Sequence, residues 1–246
     1  MKIVFFTLVD DHLFYPIGAP VFINSFKKFH PDIPLVVFRQ DMVDKVFKEK
    51  GINFYTAKPT FAKLLIEKYD LVVNIDSDHV ICSRLDKILE GDFDVAAPSN
   101  FNDYENMSIS SVTEKMYLQG GLVASTNKVF WDVWESANKE AHRYHCWEND
   151  TLNLIWYENS IVKNMKRVVL DEEKDYYGCK SLNREAEFYI EGENVMCRGE
   201  KVYCYHHAKG GRMPKLRFDR MPFTPEVRDF LTRLGTYGQS TVIEGL

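Results

Sequence analysis

Runs of apolar residues alternate with amphipathic segments along the first 98 of the 246 residues of this chain. Four runs have the length and continuity that are typical of strands buried on both faces, namely residues 2–9, 35–38, 71–75 and 93–98. Helical spacing is found in the intervening segments, which are residues 15–29, 41–49, 60–68 and 84–90. Residues 52–55 form one more short strand candidate, and Thr60 is the predicted N-cap of the third helix. This alternation predicts an α/β fold with a mostly parallel central sheet and helices on both of its faces.

The pattern changes after residue 98. Residues 99–115 are polar and unpatterned, which is typical of a long functional loop in a compact domain. The elements predicted beyond it are a strand in 120–125, a helix from Asn127 to 143, a helix in 147–158, a charged loop in 171–186, hairpin pieces that turn at Gly192 and Gly199, and a helix in 224–234 with Pro225 in its first turn. We expect one domain, made of a nucleotide-binding half in 1–98, an acceptor and metal half in 99–215, and a tail in 216–246.

The charge and the cysteines narrow the classes of function. The net charge is −5 and no basic cluster stands out, so nucleic acid is excluded as the expected main partner. The five cysteines are odd in number and lack the CxxC spacing of zinc sites, which predicts reduced thiols in a cytoplasmic protein. The apolar start of the chain meets Asp10 and Asp11 at once, which predicts a buried strand rather than a signal peptide. No apolar stretch approaches the roughly 18 residues that a transmembrane helix needs.

Two carboxylates follow the strand predicted at 71–75. Because an extended chain points alternate side chains the same way, Asp76 and Asp78 can face one side together. They lie at the carboxyl end of a buried strand, which is the edge where open α/β sheets bind ligands. Adjacent carboxylates repel each other, and a hard divalent cation that takes oxygens from both removes the conflict and can bridge a diphosphate. The alternative is that the two aspartates only cap the next helix or solvate a turn.

The segment YDLVVNIDSDHVI around this pair resembles the Asp-x-Asp element of glycosyltransferases with the GT-A fold, in particular the retaining glycosyltransferase family 8. That family includes glycogenin and bacterial galactosyl- and glucosyltransferases. The resemblance implies a GT-A fold and a uridine-diphosphate sugar (UDP-sugar) donor in a site that includes Ser77. It also implies Mn²⁺ or Mg²⁺ held by Asp76 and Asp78, and transfer of a hexose, with retention, to a hydroxyl of a glycan, lipid-linked or protein acceptor.

Two further segments resemble the family's donor-binding elements. FFTLVDDHLFYPIGAPVFINSF at 5–26 resembles the opening strand and helix, which implies that Thr7, Leu8 and Tyr15 surround the uracil and the ribose. Tyr15 can equally be a core aromatic. FAKLLIEKYD at 61–70 has Lys63 at the family's basic position, which implies a contact with the donor diphosphate. The alternative for this lysine is a solvated place on the surface.

Two segments in the second half resemble further elements of the family and supply the candidate catalytic residues, which are Gln119, Glu148, Asn149 and Asp150. In YLQGGLVAS at 117–125, Gln119 stands where the family has asparagine, which implies hydrogen bonds to sugar hydroxyls; a bulge or a turn also explains the glycine pair that follows. In ENDTLN, Glu148 and Asn149 fall on the family's Asp-Gln positions, and a one-residue shift makes Asp150 the acidic member. An ordinary helix N-terminus explains these residues too, and no nucleophile or base is assigned.

The segment YCYHHAKGGRMPK at 203–215 resembles the family's His-x-x-Gly-x-x-Lys-Pro element. The resemblance implies that His207 is the third metal ligand and that Gly210 lies against the donor. Met213 stands where the family has a lysine, so the cation beside the phosphates falls to Lys215, with Lys209 and Arg212 as alternatives.

Two rival functions remain open at this point. A nucleotidyltransferase would share the sheet and the metal, but such enzymes carry a Gly-rich, basic loop after the first strand, and this chain has VDDHLFYP there. A non-catalytic module that binds nucleotide or carbohydrate is the second rival, because four positions depart from the family's pattern: Gln119, Glu148, Asn149 and Met213.

Overall fold

The computed structural model describes residues 1–9, 18–50, 55–99, 116–141, 148–170, 177–180, 187–206, 223–235 and 243–244. The strands of the central sheet are β1 (Ile3–Val9), β2 (Leu35–Arg39), β3 (Leu71–Ile75), β5 (Val95–Pro98), β6 (Leu122–Ser125), β7 (Arg167–Leu170) and β13 (Ile243–Glu244). Their order across the sheet is β13-β2-β1-β3-β6-β5-β7. Four of the six neighbouring pairs are parallel, and β6 runs antiparallel to both β3 and β5. The predicted mostly parallel sheet is thus confirmed.

Helices cover both faces of this sheet. They are α1 (Gly18–Phe29), α2 (Gln40–Lys50), α3 (Lys58–Ile66), α4 (Asp86–Glu90), α5 (Lys128–Ala141), α6 (Glu148–Glu158), α7 (Ser160–Lys163) and α8 (Pro225–Gly235), with a 3-10 turn at Tyr55–Ala57. One core lies between the sheet and α3, α5 and α6, where Phe61, Trp131 and Trp134 are fully buried. A second core lies on the opposite face against α1 and α4, around Phe22 and Phe26. Because the strands of the sheet have a core on each side, their side chains are apolar on both faces, which explains their nearly continuous apolar sequences.

Two small sheets complete the fold. The first has the order β4-β12-β8 and comprises β4 (His79–Ile81), β12 (Cys204–His206) and β8 (Tyr177–Lys180). The second is a meander of β9 (Phe188–Glu191), β10 (Asn194–Cys197) and β11 (Glu200–Lys201). In the first sheet His79 lies directly opposite His206 in the antiparallel register of β4 and β12. This pairing brings the chain near residue 206 to the end of β3.

Most predicted boundaries agree with the structure. Asn127 caps α5, because its Oδ1 accepts a 3.0 Å hydrogen bond from the backbone N–H of Val129. Gly192 and Gly199 have positive φ angles of 61° and 86° at turns, and Pro225 is the first residue of α8. Residues 51–54, and with them most of the strand expected at 52–55, lie outside the described residues. In the described part of the chain, no helix is long and apolar enough to cross a membrane.

The prediction that Thr60 caps the third helix is wrong. The helix begins at Lys58, the residue before it is Ala57, and no side chain caps it. The hydroxyl of Thr60 instead donates a 2.7 Å hydrogen bond to Oε1 of Glu135 on α5. A buried carboxylate that needs a donor outcompetes a local cap. Pro59 in the first turn was the better local signal, since proline is favoured at the first helical position.

Candidate active site

The candidate site begins at the turn that follows β3. The backbone N–H of Asp76 donates a 2.7 Å hydrogen bond to the carbonyl of Gly121, and the N–H of His79 donates to the carbonyl of Asp76 at 3.1 Å. Because β6 is antiparallel to β3 and pairs Leu122 with Ile75, the residues just before β6 lie beside the aspartate turn. The two sequence-predicted segments, Asp-x-Asp and Gly-Gly, therefore meet at one edge of the sheet.

Asp78 and His206 form the central pair of this site. Oδ1 of Asp78 lies 3.0 Å from Nε2 of His206, and both side chains are largely buried. Burial alone would raise the pKa of Asp78, but the neighbouring His206 outweighs burial and holds that pKa below its usual range. Asp78 is therefore an anion at neutral pH, and it is available to a cation.

His79 supports the pair from the neighbouring strand. Its ring stacks on that of His206 with a centroid distance of 4.0 Å and an interplanar angle of 9°. Its Nδ1 lies 3.0 Å from the carbonyl oxygen of Asp76, which assigns the proton to Nδ1 because a carbonyl can only accept. Burial and the neighbouring His206 hold the pKa of His79 well below its usual value, so this imidazole is neutral.

The donor set fits a divalent cation. Asp78, His79 and His206 each offer a ligand atom, and these atoms lie within 4.8 Å of one another. Among the described groups, Nε2 of His79 and Nδ1 of His206 are buried without a hydrogen-bond partner. However, the rings of His79 and His206 are stacked nearly parallel, so their nitrogen lone pairs lie in parallel planes and do not converge on one point. In this arrangement the two imidazoles cannot both bind one ion. Asp78 and His206, with Asp76 beside them, are the better set, and carboxylate with imidazole suits Mn²⁺.

A buried lysine occupies the other side of Asp76. Nζ of Lys58 lies 2.8 Å from Oδ1 and 3.0 Å from Oδ2 of Asp76, 3.2 Å from the carbonyl oxygen of Gly120 and 3.5 Å from Oε1 of Glu148. Burial would lower the pKa of Lys58, but Asp76 and Glu148 outweigh it and hold that pKa above its ordinary value. Burial also raises the pKa of Asp76 to about 6, against the opposing effect of Lys58.

The glycine pair is clamped between these groups. The N–H of Gly120 donates a 2.7 Å hydrogen bond to Oδ1 of Asn149, and its carbonyl accepts from Nδ2 of Asn74 at 3.2 Å as well as from the lysine. A Cβ added to Gly121 would lie 2.9 Å from Cε1 of His206 and 3.2 Å from Oδ2 of Asp76. Both glycines are therefore required because the side chains of the site pack directly on the backbone.

The first turn of α6 holds this backbone in place. Besides Asn149, Asn153 bonds the backbone of Leu118 twice, accepting from its N–H and donating to its carbonyl at 2.8 Å each. The buried carboxylate of Asp150 accepts from the hydroxyl of Tyr117 at 3.3 Å. Of the predicted residues on α6, Glu148 and Asn149 thus touch the cluster, whereas Asp150 lies behind it and supports the same segment.

The remaining predicted residues lie at different distances from this cluster. Gln119 is buried, and neither atom of its amide has a hydrogen-bond partner among the described residues. Thr7 and Leu8 are buried near the carboxyl end of β1, and Ser77 is buried between the two aspartates. Lys63 is engaged elsewhere, 2.7 Å from Oδ1 of Asp132 and 2.9 Å from Oε2 of Glu135. Four predicted residues lie outside the described residues, namely Tyr15, His207, Gly210 and Lys215.

Comparison with known proteins adds to this geometry. No protein-family model and no curated protein matches the sequence. Solved structures do match. An active-site mutant of LgtC has a TM-score of 0.61 at 15% identity, over 98% of this chain and 98% of that chain. The galactosyltransferase LgtC in complex with donor and acceptor sugar analogues gives 0.59 and 15%, over 99% and 98%.

This chain has the fold of GT-A glycosyltransferases. A third structure agrees: the bifunctional glycosyltransferase WbbM has a TM-score of 0.58 at 17% identity, over 95% of this chain and 49% of WbbM. The predicted GT-A fold is confirmed, and the chain shares it with LgtC over nearly the whole length of both proteins. Because the identities are low, these likenesses establish how the chain folds, and its chemistry has to be argued from the site.

Proposed function

We propose that this protein is a metal-dependent glycosyltransferase that moves a hexose from a UDP-sugar to an acceptor hydroxyl, with retention at the anomeric carbon. The observation that carries the proposal is the cluster of Asp76, Asp78 and His206 at the ligand-binding edge of a GT-A sheet. Such a cluster is costly without a ligand, since it gathers two carboxylates in a buried place beside an imidazole whose Nδ1 has no hydrogen-bond partner in the described part of the chain.

Asp78, His206 and Asp76 would hold Mn²⁺ or Mg²⁺. The ion would bind the donor diphosphate and neutralise the charge that builds on it as the leaving group. The family resemblance implies His207 as the histidine ligand, whereas the imidazole that lies against Asp78 is that of His206. His207 lies outside the described residues, so the choice between the two histidines falls to experiment.

The other predicted residues keep their proposed places. Thr7, Leu8, Tyr15 and Ser77 would contact the nucleotide, and Gly210 and Lys215 would contact the phosphates. Lys63 would reach the phosphates only by leaving its ion pairs with Asp132 and Glu135. Gln119 would bind sugar hydroxyls, because both polar atoms of its buried amide lack a hydrogen-bond partner among the described residues. Glu148, Asn149 and Asp150 remain the proposed catalytic residues together with Gln119, and no nucleophile or base is assigned among them. The donor half in 1–98, the acceptor half in 99–215, the tail in 216–246 and the cytoplasmic location remain predictions.

Calorimetric titration with a panel of nucleotides and nucleotide sugars, with and without Mn²⁺, tests the proposal. We expect Mn²⁺-dependent binding of a uridine diphosphate compound to the wild type and its loss in Asp78→Asn. Asp92→Asn is the matched control, because Asp92 is exposed and pairs only on the surface with Lys166. Loss of binding in His206→Ala but not in His207→Ala identifies the histidine ligand, and the reverse result assigns His207.

The same panel separates the rivals. A nucleotidyltransferase would bind nucleoside triphosphates and release pyrophosphate from them. A non-catalytic module would bind a UDP-sugar but would neither hydrolyse nor transfer it at any metal concentration. Absence of any uridine nucleotide binding would mean that the likeness to glycosyltransferases ends with the fold.

A further inference from the structure

Lys58 is the feature of the site that neither the sequence pattern nor the proposed function explains. It is only 4% exposed, and its ammonium contacts both oxygens of the first carboxylate of the Asp-x-Asp element. The same ammonium donates to the carbonyl of Gly120 and lies 3.5 Å from Glu148. A buried lysine needs acceptors on every side, and all four contacts are supplied by the cluster itself.

We propose that Lys58 is a built-in cation that competes with the divalent metal for Asp76. Metal alone therefore binds weakly, and metal and donor diphosphate bind cooperatively. The inference rests on the proposed function, because it concerns the same metal and the same donor. Lys58 would act as a positioning residue that sets the order of ligand binding, not as a group that reacts with the sugar.

The argument is one of charge at short range. The ammonium lies 2.8 Å from one oxygen of Asp76. A metal ion bound to that carboxylate would lie about 2 Å from an oxygen, so the two cations would be roughly 5 Å apart. The repulsion is strong at this separation in a poorly solvated place. The Gly120 carbonyl holds the ammonium in place, and the hydrogen bond of Thr60 to Glu135 ties the helix that carries the lysine to α5.

The donor supplies what the cluster lacks. The three carboxylates of Asp76, Asp78 and Glu148 carry three negative charges, and Lys58 removes one of them. A diphosphate adds negative charge and oxygen ligands on the open side of the ion, which offsets the repulsion from the lysine. By thermodynamic linkage, the factor by which the diphosphate raises the affinity for the metal equals the factor by which the metal raises the affinity for the diphosphate.

A merely structural lysine would behave differently. If Lys58 only filled the space under Asp76, its loss would loosen the carboxylates and weaken metal binding. If it competes with the metal, its loss strengthens metal binding. The two roles therefore predict changes of opposite sign, and partial misfolding cannot imitate a gain in affinity.

The test is titration of Mn²⁺ followed by the electron paramagnetic resonance of the free ion, with and without UDP. Lys58→Met keeps the apolar stem and removes the charge, Lys58→Arg keeps the charge, and Lys128→Met is a control at an exposed lysine on α5. We expect Mn²⁺ alone to bind Lys58→Met roughly tenfold more tightly than the wild type or more, with Lys58→Arg and Lys128→Met close to the wild type. The factor by which UDP tightens Mn²⁺ binding should fall in Lys58→Met.

Unchanged or weaker Mn²⁺ binding in folded Lys58→Met would overturn the inference and leave the proposed function standing. If that variant does not fold, an Mn²⁺ affinity of the wild type that UDP fails to raise would still overturn the inference, because it excludes cooperative binding. Absence of UDP binding in every protein would reject the proposed function, while the Mn²⁺ titration without nucleotide would still report on Lys58.

Discussion

Oδ1 of Asn149 accepts a 2.7 Å hydrogen bond from the backbone N–H of Gly120, and this contact ties the first turn of α6 to the glycine pair of the site. A Cβ on Gly120 would lie 2.7 Å from the same oxygen, so the bond and the glycine require each other. The asparagine stands where the family has the glutamine of its Asp-Gln element, and it is one of the candidate catalytic residues predicted from the sequence. In this structure the side chain of Asn149 holds the backbone of Gly120 in place.

Asn149→Ala is expected to destabilise the protein by roughly 1–3 kcal/mol, because it leaves the N–H of Gly120 buried without a partner. Asn149→Asp keeps the accepting oxygen and should cost less. Urea unfolding of both variants measures the difference. Equal losses in the two variants would show that the Gly120 hydrogen bond is not what Asn149 contributes.

Gly121→Ala is expected to lower Mn²⁺-dependent nucleotide affinity at least about tenfold, because its Cβ would lie 2.9 Å from the His206 ring and 3.2 Å from a carboxylate oxygen of Asp76. Gly199→Ala is the control. It strains a backbone with φ of 86° at a cost of roughly 1 kcal/mol, but no atom lies within 4 Å of its Cβ. Calorimetry and thermal unfolding should therefore separate the two, and similar loss of nucleotide affinity in both would attribute the effect to stability alone.

Lys63→Met is expected to cost about 1 kcal/mol of stability, because Glu135 is buried and Lys63 is one of its hydrogen-bonding partners. Together with Thr60, Lys63 overcomes the effect of burial and holds the pKa of Glu135 at about 2. Chemical denaturation measures the cost, and UDP titration of the same variant tests the role that the family resemblance gives to this lysine. A full loss of UDP affinity without loss of stability would favour the donor contact over the pairing with α5.

His30 is expected to make the protein less stable as the pH falls below neutrality. The backbone N–H of Leu85 donates to its Nε2 at 3.1 Å, the ring is buried against Phe26, and burial lowers its pKa to about 4. The folded pKa lies below the unfolded value of about 6.5, so the unfolded state takes up the proton first. Stability is complete above pH 6.5 and falls by roughly 1.4 kcal/mol per pH unit until the pH reaches about 4.

His30→Gln removes the titration and keeps an acceptor for Leu85. Between pH 7 and pH 5 the wild type should lose roughly 2 kcal/mol more than this variant, as measured by urea unfolding at each pH. Parallel curves for the two proteins would show that His30 takes up its proton equally readily in the folded and the unfolded state.

The sheet and the two segments that meet at its edge could be predicted from local pattern. Continuous apolar runs predicted the strands, because a strand that is buried on both faces shows no alternation of apolar and polar residues. Asp76 and Asp78 follow such a run, so their edge of the sheet was predictable as well. The antiparallel direction of β6 was not, because it depends on which strands become neighbours in space, and no feature within residues 122–125 encodes that choice.

The partners of the carboxylates were harder to predict. Lys58 reaches Asp76 from 18 positions away and Gly120 from 62, and nothing in its neighbourhood distinguishes it from a surface lysine. His79 directly follows the acidic pair, and that proximity was a usable signal. For the histidines at 206 and 207, the motif alignment selects His207, whereas the imidazole found beside Asp78 is that of His206.

The reversed strand β6 also has a consequence for how such a protein can diversify. Its four paired positions with β3 fix the glycine pair beside the aspartates, whatever chain connects β5 to it. Under the proposed function, insertions or replacements in that connection would change acceptor recognition while the proposed cation site keeps its register. The strand β6 would thus separate the part of the chain that holds the cation from the part that selects the acceptor.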